Sequence, residues 1–215
     1  MLDKAYEPLT WARAEALRAQ ALIRVGETTA EVEELADATS ALADLLEDLA
    51  RDHSPLDWAK VQVALGQALQ ALGEASANEQ AYEQAVTCFD RANLVLKETP
   101  ASPLRGLAAG ARAACLVRSA ELTGDLAVLD AAEAAMKIEL SRIVGKKDPV
   151  GWALAQVHLA RLYEARVEMS GRDRGERARA MTALNGALDV FSEHGLRTMS
   201  VAAVEAMDRL RADGV

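Results

Sequence analysis

The chain is poor in the side chains that most chemistry needs. Of its 215 residues, only two are cysteine and three are histidine. Cys88 and Cys115 each fall inside an apolar helical pattern, and no CxxC motif occurs. The sequence therefore offers no redox pair and no zinc knuckle, and buried free thiols fit a reducing compartment. His53, His158 and His194 share no helix face with a second His, Cys or carboxylate at i+3 or i+4, so no metal site is expected. Nothing places either cysteine beside a base and an oxyanion pocket, so catalytic residues and cofactors are expected to be absent and the protein not to be an enzyme. Gly145-Lys146-Lys147-Asp148 lacks the upstream glycine and the following Ser/Thr of a phosphate loop.

Other absences bound the class. No apolar run approaches the ~20 residues that span a bilayer. The start, Met1-Leu2-Asp3-Lys4-Ala5-Tyr6-Glu7, has neither the basic head nor the apolar stretch of a signal peptide. The expectation is a cytoplasmic protein without a membrane partner. Net charge is −9, which argues against a general basic surface for nucleic acid. The charge is uneven. Residues 27–50 hold Glu27, Glu31, Glu33, Glu34, Asp37, Asp44, Glu47 and Asp48 and no Lys or Arg. A charged outer face and a docking surface for a basic partner both remain open for that segment.

What the chain does have is periodicity. Pro8-Leu9-Thr10-Trp11-Ala12 recurs as Pro55-Leu56-Asp57-Trp58-Ala59 and as Pro149-Val150-Gly151-Trp152-Ala153, with Pro103-Leu104 between the last two. The steps between these prolines are 47, 48 and 46 residues. A period of this size marks stacked helical hairpins, each too thin to bury its apolar face alone. Repeats are expected at about 8–54, 55–101, 102–147 and 148–195, within one domain over residues 1–215.

Each repeat opens on a helix-start signal. Ser54-Pro55, Ser102-Pro103 and Asp148-Pro149 put a capping oxygen before a first-turn proline. The first helix of each hairpin, helix A, is expected at about 8–25, 55–72, 103–122 and 149–169. It should end near Gly26, Gly73, Gly124 and Gly171. Thr28-x-x-Glu31 and Ser76-x-x-Glu79 read as capping boxes for helix B, and Asp125 as a cap. Helix B is expected at about 29–51, 77–98, 126–144 and 175–193. A ninth helix, at about 196–212, would close the stack with a polar outer face including Arg209, Arg211 and Asp213. Ala19, Gly66, Ala114 and Ala160 fall on one phase of helix A, where a small side chain lets helix B approach. The evenly spaced Trp11, Trp58 and Trp152 read as largely buried wedges between hairpins.

Leu65-Gly66-x-x-Leu69 followed by Ala85-x-x-x-Phe89-x-x-Ala92 resembles the tetratricopeptide repeat. The Pro55-Leu56-Asp57-Trp58-Ala59 opening and the long period resemble its bacterial long-repeat form. The second repeat fits best, and the third has Gly106-Leu107 in place of the tryptophan. The resemblance covers nearly the whole chain. It implies an all-α, right-handed α-solenoid of four hairpins with a capping helix, whose A helices line a concave groove. Transferring the groove-facing phases selects Arg13, Ala16, Gln20, Ile23 and Arg24, then Lys60, Val63, Gln67 and Gln70. It continues with Ala108, Ala111, Cys115 and Arg118, then Leu154, Val157, Arg161 and Glu164. Five cations would face one carboxylate. The implied function is a non-enzymatic scaffold or adaptor that binds a peptide or helical segment of a partner protein, with a homo-oligomer left open. The alternative is a regulatory module that senses a small molecule or nucleotide in the same groove.

Overall fold

The computed structural model describes residues 7–29, 31–97, 103–142 and 148–212. Among them the chain is all helix: α1 (Pro8–Thr29), α2 (Val32–Asp48), α3 (Pro55–Ser76), α4 (Glu79–Leu96), α5 (Pro103–Thr123), α6 (Leu126–Arg142), α7 (Pro149–Ser170), α8 (Glu176–Glu193) and α9 (Arg197–Ala212). No strand occurs among the described residues. The long helices open on Pro8, Pro55, Pro103 and Pro149, where a missing N–H and a fixed φ suit the first turn.

The caps depart from expectation in an instructive way. Asp148 caps α7, its carboxylate accepting the Gly151 N–H at 2.8 Å, and Asp125 accepts the Ala127 N–H at 2.9 Å. Ser54 precedes α3 but its hydroxyl makes no capping bond. Ser102 lies outside the described residues. Neither capping box forms. Thr28 is inside α1 and donates to the Arg24 carbonyl at 2.7 Å; Ser76 closes α3 and donates to the Leu72 carbonyl at 2.5 Å. Such hydroxyls bond back to the i−4 carbonyl as readily as they cap. Asn78 caps α4 instead, accepting the Gln80 N–H at 3.0 Å, and Glu31 stands before α2 without a side-chain cap.

Two of the four glycines expected to end helices do so. Gly124 and Gly171 have φ of 74° and 63°, in the left-handed region that stops a helix. Gly26 and Gly73 are interior to α1 and α3. There the glycine serves close approach. A Cβ on Gly26 would lie 2.6 Å from Leu35 Cγ, and one on Gly73 would lie 3.0 Å from the Tyr82 ring.

The chain forms two compact units, residues 1–115 and 116–215, with the division inside α5. In the N-terminal unit α3 packs against α4, α2 and α1. Gly66 sits under Phe89, where a Cβ would be 2.7 Å from the ring. That contact and the one between Gly73 and Tyr82 share one antiparallel register. The core holds Leu35, Leu42, Leu45, Val63, Tyr82, Phe89 and Leu96. Burying a side chain of this size contributes about 1.5–3 kcal/mol. In the C-terminal unit α7 packs on α8 and α6, and α9 on α8. Leu129, Met136, Leu162, Leu184 and Phe191 are fully buried there. Of the small residues expected to let helix B approach, Ala19, Gly66 and Ala160 are buried and Ala114 is half-buried.

Trp11, Trp58 and Trp152 pack against these cores but are only partly buried, less than expected. Each begins a helix, so its indole covers the edge of a hairpin. The outer side of α9 is not purely polar, because Val201 (56 % exposed) and Val204 (41 %) face out. Arg211 pairs with Asp208 at 2.7 Å, and Asp213 lies outside the described residues.

Candidate functional site

Each unit carries a groove that brings together residues selected from the sequence; the N-terminal unit has a further cavity of about 400 Å³ at Leu9, Trp11, Leu49 and His53, which none of them lines. In the N-terminal unit the groove encloses about 340 Å³ between α1, α3 and α5. Ala12, Val61 and Val63 form its buried floor, Ala16, Leu17 and Leu107 present the apolar surface, and Gln20 and Gln67 add amides. Arg13 and Lys60 lie at the same distance beyond their prolines and converge on one carboxylate that sequence reading passed over. Asp57 accepts from Arg13 Nη2 at 2.7 Å and from Lys60 Nζ at 3.2 Å. The Arg13 hydrogen bond, helped by Lys60 and opposed by partial burial, holds the Asp57 carboxyl below its usual range. Asp57 in turn raises the Arg13 guanidinium. Arg24 and Gln70 do not line this groove; Gln70 donates to Glu74 at 3.1 Å.

In the C-terminal unit a trough of about 420 Å³ runs between α7 and α9 over α8. Leu154, Val157, Leu184, Phe191, Met199 and Leu210 make it apolar, and Arg161, Glu164 and Arg209 make its polar end. Arg161 donates to Glu164 at 3.0 Å, to Glu168 at 3.2 Å, and to Glu121. Burial disfavours the Arg161 charge, yet Glu121, Glu168 and Glu164 together outweigh it and raise its pKa. Glu121 also holds Arg118 at 2.5 Å, and Arg118 is not part of the trough lining. Arg209 reaches Glu164 at 3.7 Å, so α9 contributes a side chain that sequence reading placed on an outer face. His158 lies in the α7 wall, half-buried, without a hydrogen bond to any described residue. Its apolar surroundings lower its pKa.

The sequence-selected residues thus separate into those brought together and those left apart. Arg13, Gln20, Lys60, Val63 and Gln67 share the N-terminal groove, and Val157, Arg161 and Glu164 share the C-terminal trough. The expected surplus of cations is largely matched by acids, on the same helix for Lys60 and Arg118, on a neighbouring helix for Arg13, and on both for Arg161. Asp57 was detectable as the i−3 partner of Lys60. Glu121 was likewise detectable as the i+3 partner of Arg118, but its pairing with Arg161, and that of Arg209 with Glu164, arise only through tertiary packing.

Away from the grooves, Glu33, Asp37, Asp44 and Glu47 are exposed on α2 and pair with no described residue. A second polar cluster ties α6 to α7: Glu133 accepts from Arg166 at 2.5 Å, Lys137 at 2.6 Å and the Tyr163 hydroxyl at 3.2 Å. Burial opposes ionisation of Glu133, but the bonds from Lys137 and Arg166 prevail and lower its pKa. No cluster of three or more His, Cys, Asp or Glu suited to a metal ion occurs among the described residues. Likewise, no described helix is long and apolar enough to cross a membrane. Compared with known proteins, the chain matches no family model, no curated protein and no solved structure.

Proposed function

We propose that this chain is a non-enzymatic adaptor of tetratricopeptide type, a right-handed α-solenoid of four hairpins with α9 as its cap. It docks a helical or extended segment of a partner protein along the proline-opened helices. The observation that supports this most is a coincidence of phase. Arg13, Ala16 and Gln20 line the N-terminal groove at the same offsets from Pro8 as Lys60, Val63 and Gln67 from Pro55. Leu154, Val157 and Arg161 line the C-terminal trough at those same offsets from Pro149. One face of a repeating helix is therefore hollow in both units, apolar along its floor and polar at its rim. An amphipathic segment would bury its apolar side on Leu17 and Leu107 or on Leu154 and Val157 and set its register against the amides and ion pairs.

The ion pairs bear on mechanism. Because Arg13 and Lys60 already share Asp57, and Arg161 is held by three carboxylates, charge fixes orientation while apolar burial supplies affinity. The test is selection from a displayed random peptide library against the intact protein. Enriched peptides should carry apolar residues at i, i+3 and i+4, and should lose binding to Leu17→Asp, at an exposed groove position, or to Val157→Asp, with unchanged helical circular dichroism. Enrichment of peptides that bind both variants normally would remove the grooves from the mechanism. The volumes of the two grooves also support a second reading, a small-molecule sensor, since ligand pockets span roughly 300–1,000 Å³. In that case a compound screen by thermal shift would give hits sensitive to the same two substitutions, and the peptide selection would fail.

A further inference from the structure

His158 is the one polar side chain in the α7–α8–α9 trough whose hydrogen-bonding capacity is unmatched by the described residues. Its neighbours in the lining explain why that matters. Leu154 and Val157 flank it on α7, Leu184 and Phe191 come from α8, and Met199, Ala202 and Ala206 come from α9. The charged groups around it are few. On α7 they are Arg161, one turn on, and Glu164; α9 supplies Arg209; α8 supplies none to the lining. Glu121 of α5 and Glu168 are engaged by Arg161. Glu133, Asp130 and Lys137 of α6 are engaged in the cluster with Arg166 and Tyr163. An imidazolium at His158 would therefore meet two arginines and one already shared carboxylate, in a wall otherwise apolar.

We propose that His158 is a proton-sensitive latch on α9, whose docking over α8 and beside α7 is favoured while the imidazole is neutral and loosened when it takes up a proton. When α9 is docked, Met199, Ala202 and Ala206 give the half-buried ring apolar neighbours in place of part of its water. When α9 lifts, the ring regains water and binds a proton as an ordinary imidazole does. Proton uptake and undocking are then linked, because whatever state binds more protons gains as pH falls. Burial lowers the docked-state pKa, which gives the direction. Docking strength is full above the ordinary imidazole pKa of about 6.5 and declines below it. The pH-independent part of the dock is apolar, with Ala203, Met207 and Leu210 of α9 buried.

Amide hydrogen exchange on the whole chain, corrected for the intrinsic effect of pH, tests this directly. Between pH 7.5 and 5.5 the α9 amides should exchange faster by up to about tenfold, the most that one imidazole of pKa near 6.5 allows. Amides of α3 and α4 should change little. The His158→Phe variant keeps a flat ring without a titrating nitrogen and should abolish the α9 response; should it fold poorly, His158→Gln makes the same comparison. His194, on the α8–α9 connection with Nδ1 2.9 Å from the Val190 carbonyl, stays in both variants. An α9 response that persists in the variants, or its absence in the natural chain, overturns the proposal. The window also lies above the ordinary carboxylate range of about 4.

Discussion

Glycine shows most clearly how single residues act in this chain. Gly66 lies under the Phe89 ring with no room for a methyl group, whereas a Cβ on Gly106 of α5 would meet nothing within 4 Å. Gly66→Ala should therefore destabilise by about 1–3 kcal/mol, the usual cost of overpacking. Gly106→Ala should stabilise by about 0.5–1 kcal/mol, because alanine favours a helix. Urea melts of the two variants check the contrast. The cysteines give a second test. Burial pushes the Cys88 thiol up to about 11 and, with Glu74 adding to it, the Cys115 thiol up to about 12. Neither presents a thiolate at neutral pH, so both should resist a thiol-specific chromogenic reagent in the folded chain and react together on unfolding. Rapid labelling of either under native conditions would contradict their place in the core. At this scale the sequence was legible where a residue's job depends on its own helix. The first-turn prolines are such a case, whereas Gly66 was legible because the repeat phase also named its neighbour Phe89. Gly26 and Gly73 misled, because a glycine that ends a helix and one that admits a neighbouring side chain look the same until the neighbour is known.

At the scale of elements, periodicity and proline placed the helices within a few residues. The expected ends of helix A at 25 and 72 stand against observed ends at 29 and 76. The overrun follows from Thr28 and Ser76 bonding back into their own helices. Capping chemistry yields a direct comparison. Asp148→Ala should cost about 1 kcal/mol, whereas Ser54→Ala should cost a few tenths at most, because only Asp148 makes the capping bond. Thermal melts of the two variants measure this. Links between elements add a pH dependence. Asp57 joins α1 to α3, and Glu133 joins α6 to α7. Both carboxyls have folded-state pKa values below their unfolded ones. Their contribution is present above about pH 4, the unfolded range, and is lost as pH falls through the folded values. Stability should drop on acidification below pH 4, and the drop should shrink in Asp57→Asn and in Glu133→Gln. Neither link was legible in full, since Arg13 lies 44 residues from Asp57 and Arg166 lies 33 from Glu133.

Across the whole molecule, charge and apolar surface are distributed differently. Residues 1–115 hold ten Lys and Arg against eighteen Asp and Glu, whereas residues 116–215 hold fourteen against fifteen. The excess of acid is concentrated on α2, while the grooves are close to charge balance and lined by apolar groups. Two surfaces therefore compete for the role of docking face, and sequence alone left both open for the same reason. It gave the phase of each helix but not the partners that neutralise Arg13, Lys60 and Arg161. With those partners known, the grooves offer apolar burial and the α2 face offers only screened charge, which contributes little per residue. The most direct test is photo-cross-linking in the cell of origin, with a photoreactive side chain placed in turn at Gln20, Gln67, Val157, Glu33, Asp37 and Asp44. The account predicts that Gln20, Gln67 and Val157 capture the same protein and that the three α2 positions do not. Capture from α2 alone, with the groove positions silent, would contradict it.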